Sequence, residues 1–137
     1  MTNIHRLKIY FGDTDAAGIV FYPNFYRWMD QATHEYLAAK YLPASQLQKD
    51  KDIITPLLEA FCQFKSPLFF EDEVEIHSKV VEVKNKVFRV EHQFKRDSQI
   101  VAEGYEVRAW TSTSGERIKA VAIPEDVIKA FGLDVGK

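Results

Sequence analysis

Seven residues between positions 21 and 39 constrain this chain more than any other feature. Phe21, Phe25, Trp28, Met29, Ala32, Tyr36 and Ala39 fall at offsets 0, 4, 7, 8, 11, 15 and 18. That spacing is one stripe of an α-helix, and Arg27, Gln31, His34 and Lys40 lie off it. Pro23 suits the first turn, where its missing N–H costs nothing. The helix should end near Tyr41, before Pro43. At 1.5 Å per residue, about 19 residues make a rod of roughly 28 Å. A stripe so broad and aromatic needs several strands to cover it.

The rest of the chain supplies them. Alternation marks a first strand from about Arg6 to Phe11, and a turn-like stretch runs from Gly12 to Gly18. Pro43 to Asp52 reads as a polar loop, and Leu57 to Leu68 as an irregular strand carrying Phe61 and Phe64. Val74, Ile76 and Val80 hold one parity and Val81 and Val83 the other, which a bulge near Val80-Val81 reconciles. Phe88, Val90, His92 and Phe94 face one way. Lys84-Asn85-Lys86 and Arg96-Asp97-Ser98 are hairpin turns. Val101, Tyr105, Val107 and Ala109 continue the alternation to Trp110. Ser114-Gly115 turns, Ile118 to Ile123 extends the sheet, and Pro124 opens a short helix to about Phe131. One long buried helix among antiparallel strands is an α+β layout: a curved sheet wrapped around a central helix.

Composition sets the outer limits. The 137 residues form one expected domain, 1–137, large enough to bury a core without staples. A net charge of −2 argues against a nucleic-acid binder. No apolar run approaches the roughly 18 residues that cross a bilayer, and the first residues lack a secretory h-region. The one cysteine, Cys62, excludes an internal disulfide framework. A soluble, cytoplasmic protein is the expectation.

Most familiar chemistry is absent. Phosphate-binding glycine loops, a nucleophile elbow and a zinc-protease His pair do not occur. The histidines show no ligand spacing, so no metal is expected. His92 reads as a satisfied core histidine, and Cys62 as a buried inert thiol. What remains is the loop entering the long helix, with Asp13 and Asp15. A helix N-terminus offers unpaired N–H groups and roughly half a positive charge, which polarise a carbonyl held there. A carboxylate beside it can attack that carbonyl or activate water toward it. On the residues alone, both aspartates read more readily as turn or capping residues.

The run Phe11-Gly12-Asp13-Thr14-Asp15-Ala16-Ala17-Gly18-Ile19-Val20-Phe21-Tyr22-Pro23-Asn24-Phe25 resembles the signature of hot-dog-fold acyl-CoA thioesterases, nearest to the 4-hydroxybenzoyl-CoA type. The likeness continues through Arg27-Trp28-Met29-Asp30 and returns at Gly115-Glu116-Arg117-Ile118-Lys119-Ala120 and Ile123-Pro124. The resemblance implies Asp15 as catalytic carboxylate, nucleophile or general base. It implies the Tyr22 backbone N–H as oxyanion donor, with Gly18 folding the loop tightly enough to bring Asp15 over that turn. Asp13 takes a structural position. Short-chain relatives tend to carry His after this Tyr. Pro23 stands there, which favours an aromatic acyl group.

By the same resemblance Asp30 and Thr55 face the aryl group, and Lys84 and Lys86 meet the CoA phosphates, with Asn85 where a more basic cluster is usual. No cofactor is implied beyond the CoA of the substrate. A homo-oligomer is implied, a dimer or a dimer-of-dimers tetramer with the active site at the dimer seam. Two alternatives stay open: an aliphatic acyl-CoA or acyl-carrier thioesterase of the same fold, and a non-catalytic acyl-CoA binder. Hot-dog dehydratases use a helix His with an acidic partner, and His34-Glu35 lacks that context.

Overall fold

The stripe folds into one helix in the computed structural model, which describes residues 2–135. In chain order the elements are β1 (Asn3–Lys8), α1 (Pro23–Lys40), α2 (Ala44–Lys51), β2 (Ile53–Ile54) and β3 (Leu57–Phe64). There follow β4 (Glu73–Lys84), β5 (Val87–Arg96), β6 (Gln99–Ala109), β7 (Thr111–Ser112), β8 (Lys119–Ala120) and α3 (Glu125–Ala130). Five strands form one antiparallel sheet in the order β1-β4-β5-β6-β3, and α1 packs across it. A small second sheet has the order β2-β7-β8. No helix of the described residues is long and apolar enough to cross a membrane.

α1 buries Phe25, Trp28, Met29, Ala32, Thr33, Tyr36 and Leu37. Phe21 and Ala39 do not belong to this face. Phe21 precedes the helix and is half exposed, Ala39 points to solvent, and Thr33 and Leu37 take the places between. Tyr41 caps the end, its N–H donating to the Leu37 carbonyl at 2.8 Å.

Several expected boundaries move, each for a local reason. The first strand is Asn3–Lys8, and Phe11 lies in a 3-10 turn, 76% exposed. The Asp13 carboxylate accepts from the Tyr10 N–H at 2.9 Å and closes the strand off. Pro43–Asp52 is not a loop but holds α2, which buries only Leu47 and so carries no stripe to betray it. Residues 57–68 keep an edge strand as far as Phe64; Phe61 lies against Tyr105 on the outer face, while Phe64, half exposed, packs on Phe25. Only Lys119–Ala120 of the 118–123 stretch is strand, and it joins the small sheet instead of the large one.

Other details match. The β4 register shifts between Val80 and Glu82, the bulge that reconciles the two parities. Asn85, Asp97 and Ser98 take positive φ in the two hairpin turns. Phe88, Val90, His92 and Phe94 are all buried.

The core falls into two apolar clusters with a polar layer between them. On β4, Ser78 separates Ile76 from Val80; on β5, His92 separates Phe94 from Val90; on α1, Thr33 separates Ala32 from Tyr36. β6 breaks the expected pattern here. Tyr105 and Val107 are only partly buried, while Glu106 and Arg108 turn inward beneath α1 and are 1% and 4% exposed. A strand of mixed polarity can turn its charged face inward because those charges pair with each other.

Candidate active site

Asp15 sits in a small hairpin that feeds α1. Thr14 and Val20 bridge its ends, and Asp15 N–H donates to the Ile19 carbonyl at 2.9 Å. Gly18 turns the tip at φ +81°, where a Cβ would be strained, and its N–H returns to the Asp15 carbonyl at 2.9 Å. The exposed Asp15 carboxylate accepts one bond, from the Ala17 N–H at 2.9 Å through Oδ1. Oδ2 keeps its lone pairs for other work.

Asp13, by contrast, is spent on the fold. Its carboxylate takes the Tyr10 N–H and the Arg27 guanidinium, at 2.9 and 3.2 Å. Its carbonyl takes the Phe21 N–H and the Asn24 side-chain amide, both at 2.9 Å. These bonds lock the hairpin onto the first turn of α1.

The first turn itself is open to an anion. Tyr22 is the N-cap, Pro23 has no N–H, and the Tyr22 N–H has no acceptor among the described residues. No acidic residue in the first turn offsets the positive end of this 18-residue helix. Beside it lies a cleft of about 430 Å³ lined mainly by apolar groups, among them Ile19, Tyr22, Phe25, Phe64 and Leu68. Tyr22 and Phe25 both stack edge-on to Phe64, with centroids 6.3 and 5.0 Å apart. A carboxylate, an unclaimed amide and an apolar slot thus share one end of the sheet.

The other expected site residues gather at the opposite end. Asp30 and Thr55 are joined by Arg108, whose Nη2 donates to Asp30 Oδ1 at 2.7 Å and whose Nη1 donates to the Thr55 carbonyl at 2.9 Å. Arg108 is paired across the sheet with Leu57 and Phe88, and the Trp110 N–H beyond it donates to the Lys86 carbonyl. Lys84 and Lys86 therefore stand at that same end, exposed at the β4–β5 turn. The hairpin of Asp15 meets the sheet at its far end, through Ile19 on Phe69 and Val20 on Leu68. Within one chain the catalytic and substrate-binding candidates do not meet.

Known proteins resemble this chain over most of its length. The profile of the thioesterase-like superfamily matches residues 9–131. The chain is 33% identical over 129 residues to a 4-hydroxybenzoyl-CoA thioesterase of Pseudomonas sp. (strain CBS-3), covering 89% of this chain and 92% of that one. The chain belongs to this superfamily. The solved structure of a gentisyl-coenzyme A thioesterase superposes with a TM-score of 0.82 at 45% identity, covering 95% and 99% of the two chains. A 1,4-dihydroxy-2-naphthoyl-CoA hydrolase of Parasynechococcus marenigrum (strain WH8102) is 28% identical over 88% of this chain and 82% of its own.

The fold is the hot-dog, and the chain is an acyl-CoA thioesterase. Burial shifts two other reactive side chains of this thioesterase away from their ordinary ranges. The Cys62 thiol is pushed up to about 12 by desolvation. His92 is pushed down to about 3, by burial first and then by the nearby Arg108 charge. It is held between Ser78 Oγ and Thr33 Oγ1, at 2.6 and 3.0 Å. The side chains that sequence reasoning missed are Glu106 and Arg108. Opposite charges two apart on a strand share a face, and that was the available signal.

Proposed function

We propose that this thioesterase hydrolyses an aromatic acyl-CoA of the hydroxylated-benzoyl class to the free acid and CoA. The observations that support the reading are the Tyr22 N–H left without an acceptor at the start of α1 and the hairpin leading into it, which leaves one oxygen of the exposed Asp15 carboxylate free. The flat aromatic walls of the adjoining cleft and Pro23 after Tyr22 support an aryl group.

In this reading the thioester oxygen accepts the Tyr22 N–H, and the positive helix end stabilises the oxyanion that forms there. As nucleophile, an Asp15 oxygen bonds to the thioester carbon and the C–S bond breaks. The departing CoA thiolate takes a proton from solvent, and water then opens the mixed anhydride to release the acid. As general base, Asp15 takes a proton from water, whose oxygen attacks the same carbon. Either way a thiolate leaves readily, so the site needs no second proton donor. Lys84 and Lys86 are proposed to meet the CoA phosphates.

The proposed site is completed by a second copy. β3 forms an edge of the sheet, pairs only with β6 among the described residues, and exposes Leu57, Leu58, Phe61 and Phe64. Such an apolar edge invites another strand. Two copies joined β3 to β3 about a two-fold axis put the Phe64 end of one beside the Leu57 end of the other, roughly 23 Å along the strand. The Asp15 end of one protomer then faces the Asp30, Thr55, Lys84 and Lys86 end of its partner.

A thiol-release assay over benzoyl-, 4-hydroxybenzoyl-, dihydroxybenzoyl-, dihydroxynaphthoyl- and short aliphatic CoA esters tests this, with wild type beside Asp15→Asn. The expected result is a preference for hydroxylated aryl esters that vanishes with Asp15. Preference for aliphatic chains, or equal rates for the two proteins, would overturn it.

A further inference from the structure

The polar layer that divides the core ends at the proposed aryl subsite. Arg108, 4% exposed, spends its fork on three acceptors: Nε on Glu106 Oε1 at 2.9 Å, Nη1 on the Thr55 carbonyl and Nη2 on Asp30 Oδ1. Glu106 Oε1 also accepts the Thr33 hydroxyl at 2.6 Å. Thr33 Oγ1, having donated its proton, accepts from His92 Nε2. His92 Nδ1 in turn accepts the Ser78 hydroxyl. Each proton in the chain has one direction, and no buried side-chain polar atom among the described residues lacks a partner. The chain starts inside the sheet and surfaces at one group only, the half-exposed Asp30 carboxylate.

Such a network fixes Asp30 without consuming it. Oδ1 is held by Arg108, and His34 Nδ1, hydrogen-bonded to the Asp30 carbonyl at 2.8 Å, lies 3.4 Å from it. Oδ2 has no partner among the described residues and is free to accept. The three charges of Asp30, Arg108 and Glu106 sum to one negative, so the subsite favours a hydrogen-bond donor and disfavours an anionic acyl group.

We infer that Arg108 is a positioning residue for specificity: it holds Asp30 in place to accept a ring hydroxyl, so that the enzyme selects hydroxylated aryl-CoA over the unsubstituted ester. This rests on the function proposed above and deepens it. A planar fork held from behind by Glu106 fixes a carboxylate in a way that a single ammonium cannot.

The test compares kcat/KM for 4-hydroxybenzoyl-CoA and benzoyl-CoA in wild type, Asp30→Asn, Arg108→Lys and the double variant. Wild type should prefer the hydroxylated ester, and each single variant should cut that preference about tenfold, the scale of one charge-assisted hydrogen bond. The double variant should lose no more than either single one, because both act on the same bond. A preference left intact by Arg108→Lys, with both esters slowed equally, would assign Arg108 to the fold alone and overturn the inference. So would an undiminished effect in the Asp30→Asn background.

If Arg108→Lys does not fold, Glu106→Gln keeps the shape and weakens the hold on Nε. A severalfold fall in preference then supports the inference, and an unchanged preference overturns it. A wild type active on both esters without preference sinks the inference and leaves the aryl thioesterase standing; one active on neither sinks both.

Discussion

Glu106 and Arg108, two residues apart on β6, turn the same way beneath α1 and meet at 2.9 Å with both side chains almost wholly buried. Burial works against the Arg108 charge, and the bonds and charges of Glu106 and Asp30 more than restore it, leaving its pKa above the ordinary value. A buried pair of this kind adds little net stability while intact, but losing one partner strands the other. Glu106→Leu is therefore expected to destabilise the fold by about 3–5 kcal/mol. Urea unfolding measures it; a midpoint within error of wild type would contradict the pairing.

The catalytic assignment separates from the fold. The Asp15 side chain is exposed and takes one local hydrogen bond, so Asp15→Asn should leave the melting temperature within a few degrees of wild type. Turnover should fall at least about a hundredfold, as for other principal catalytic groups. Asp13→Asn should do the reverse. It weakens the contacts to Arg27 and the Tyr10 N–H, so it should lower stability more than it lowers kcat at permissive temperature. Thermal melts beside thiol-release rates distinguish the two aspartates.

His92 makes stability depend on pH. Its folded value of about 3 lies below the ordinary 6.5, so the unfolded chain binds the extra proton first as pH falls. Its contribution is complete above about 6.5 and is lost progressively as pH drops toward 3, at up to about 1.4 kcal/mol per pH unit. Urea unfolding at pH 7, 6 and 5 should show this slope, and His92→Gln should show a shallower one. Equal slopes would mean that the imidazole is not held neutral between Ser78 and Thr33.

How much of this was legible depends on what each residue packs against. The helix was readable because α1 buries a continuous stripe whose period no other structure shares. The β4 bulge and the two hairpins were readable because parity and turn residues are local signals. α2 was not, since a helix with one buried leucine leaves no pattern. The inward face of β6 was misread because Glu106 and Arg108 satisfy each other, and hydrophobicity alone assigns charges to solvent. The Asp15 and Tyr22 loop was legible as a motif. The separation of Asp15 from Asp30, Thr55, Lys84 and Lys86 was not, because strand order sets it.

The edge strand carries the oligomer proposal. Phe61→Asp places a charge on the exposed face of β3, half accessible in the isolated chain, and Leu58→Lys does the same beside it. Both should leave the isolated fold intact while shifting the assembly toward monomer in sedimentation velocity. Activity should fall in step with the loss of dimer, since Asp15 then lacks the partner's Asp30 end. A monomer with full activity would show that one chain completes its own site.

Gly104 gives a last test of how β3 is held. It lies on β6 opposite both Cys62 on β3 and His92 on β5. A Cβ built there runs into the Phe61 carbonyl oxygen and comes within 2.9 Å of the Cys62 Cα, both backbone atoms that cannot swing aside. Gly104→Ala must therefore push β3 away from β6, costing about 1–3 kcal/mol as overpacking does. The displaced strand is the proposed dimer edge, so the variant should also dissociate at higher concentration than wild type. Gly12→Ala is the control: a Cβ there meets nothing within 4 Å and φ is not in the left-handed region, so its melting temperature should stay close to wild type. Calorimetry on the two variants decides the matter, and equal melting temperatures would mean that β3 yields without cost.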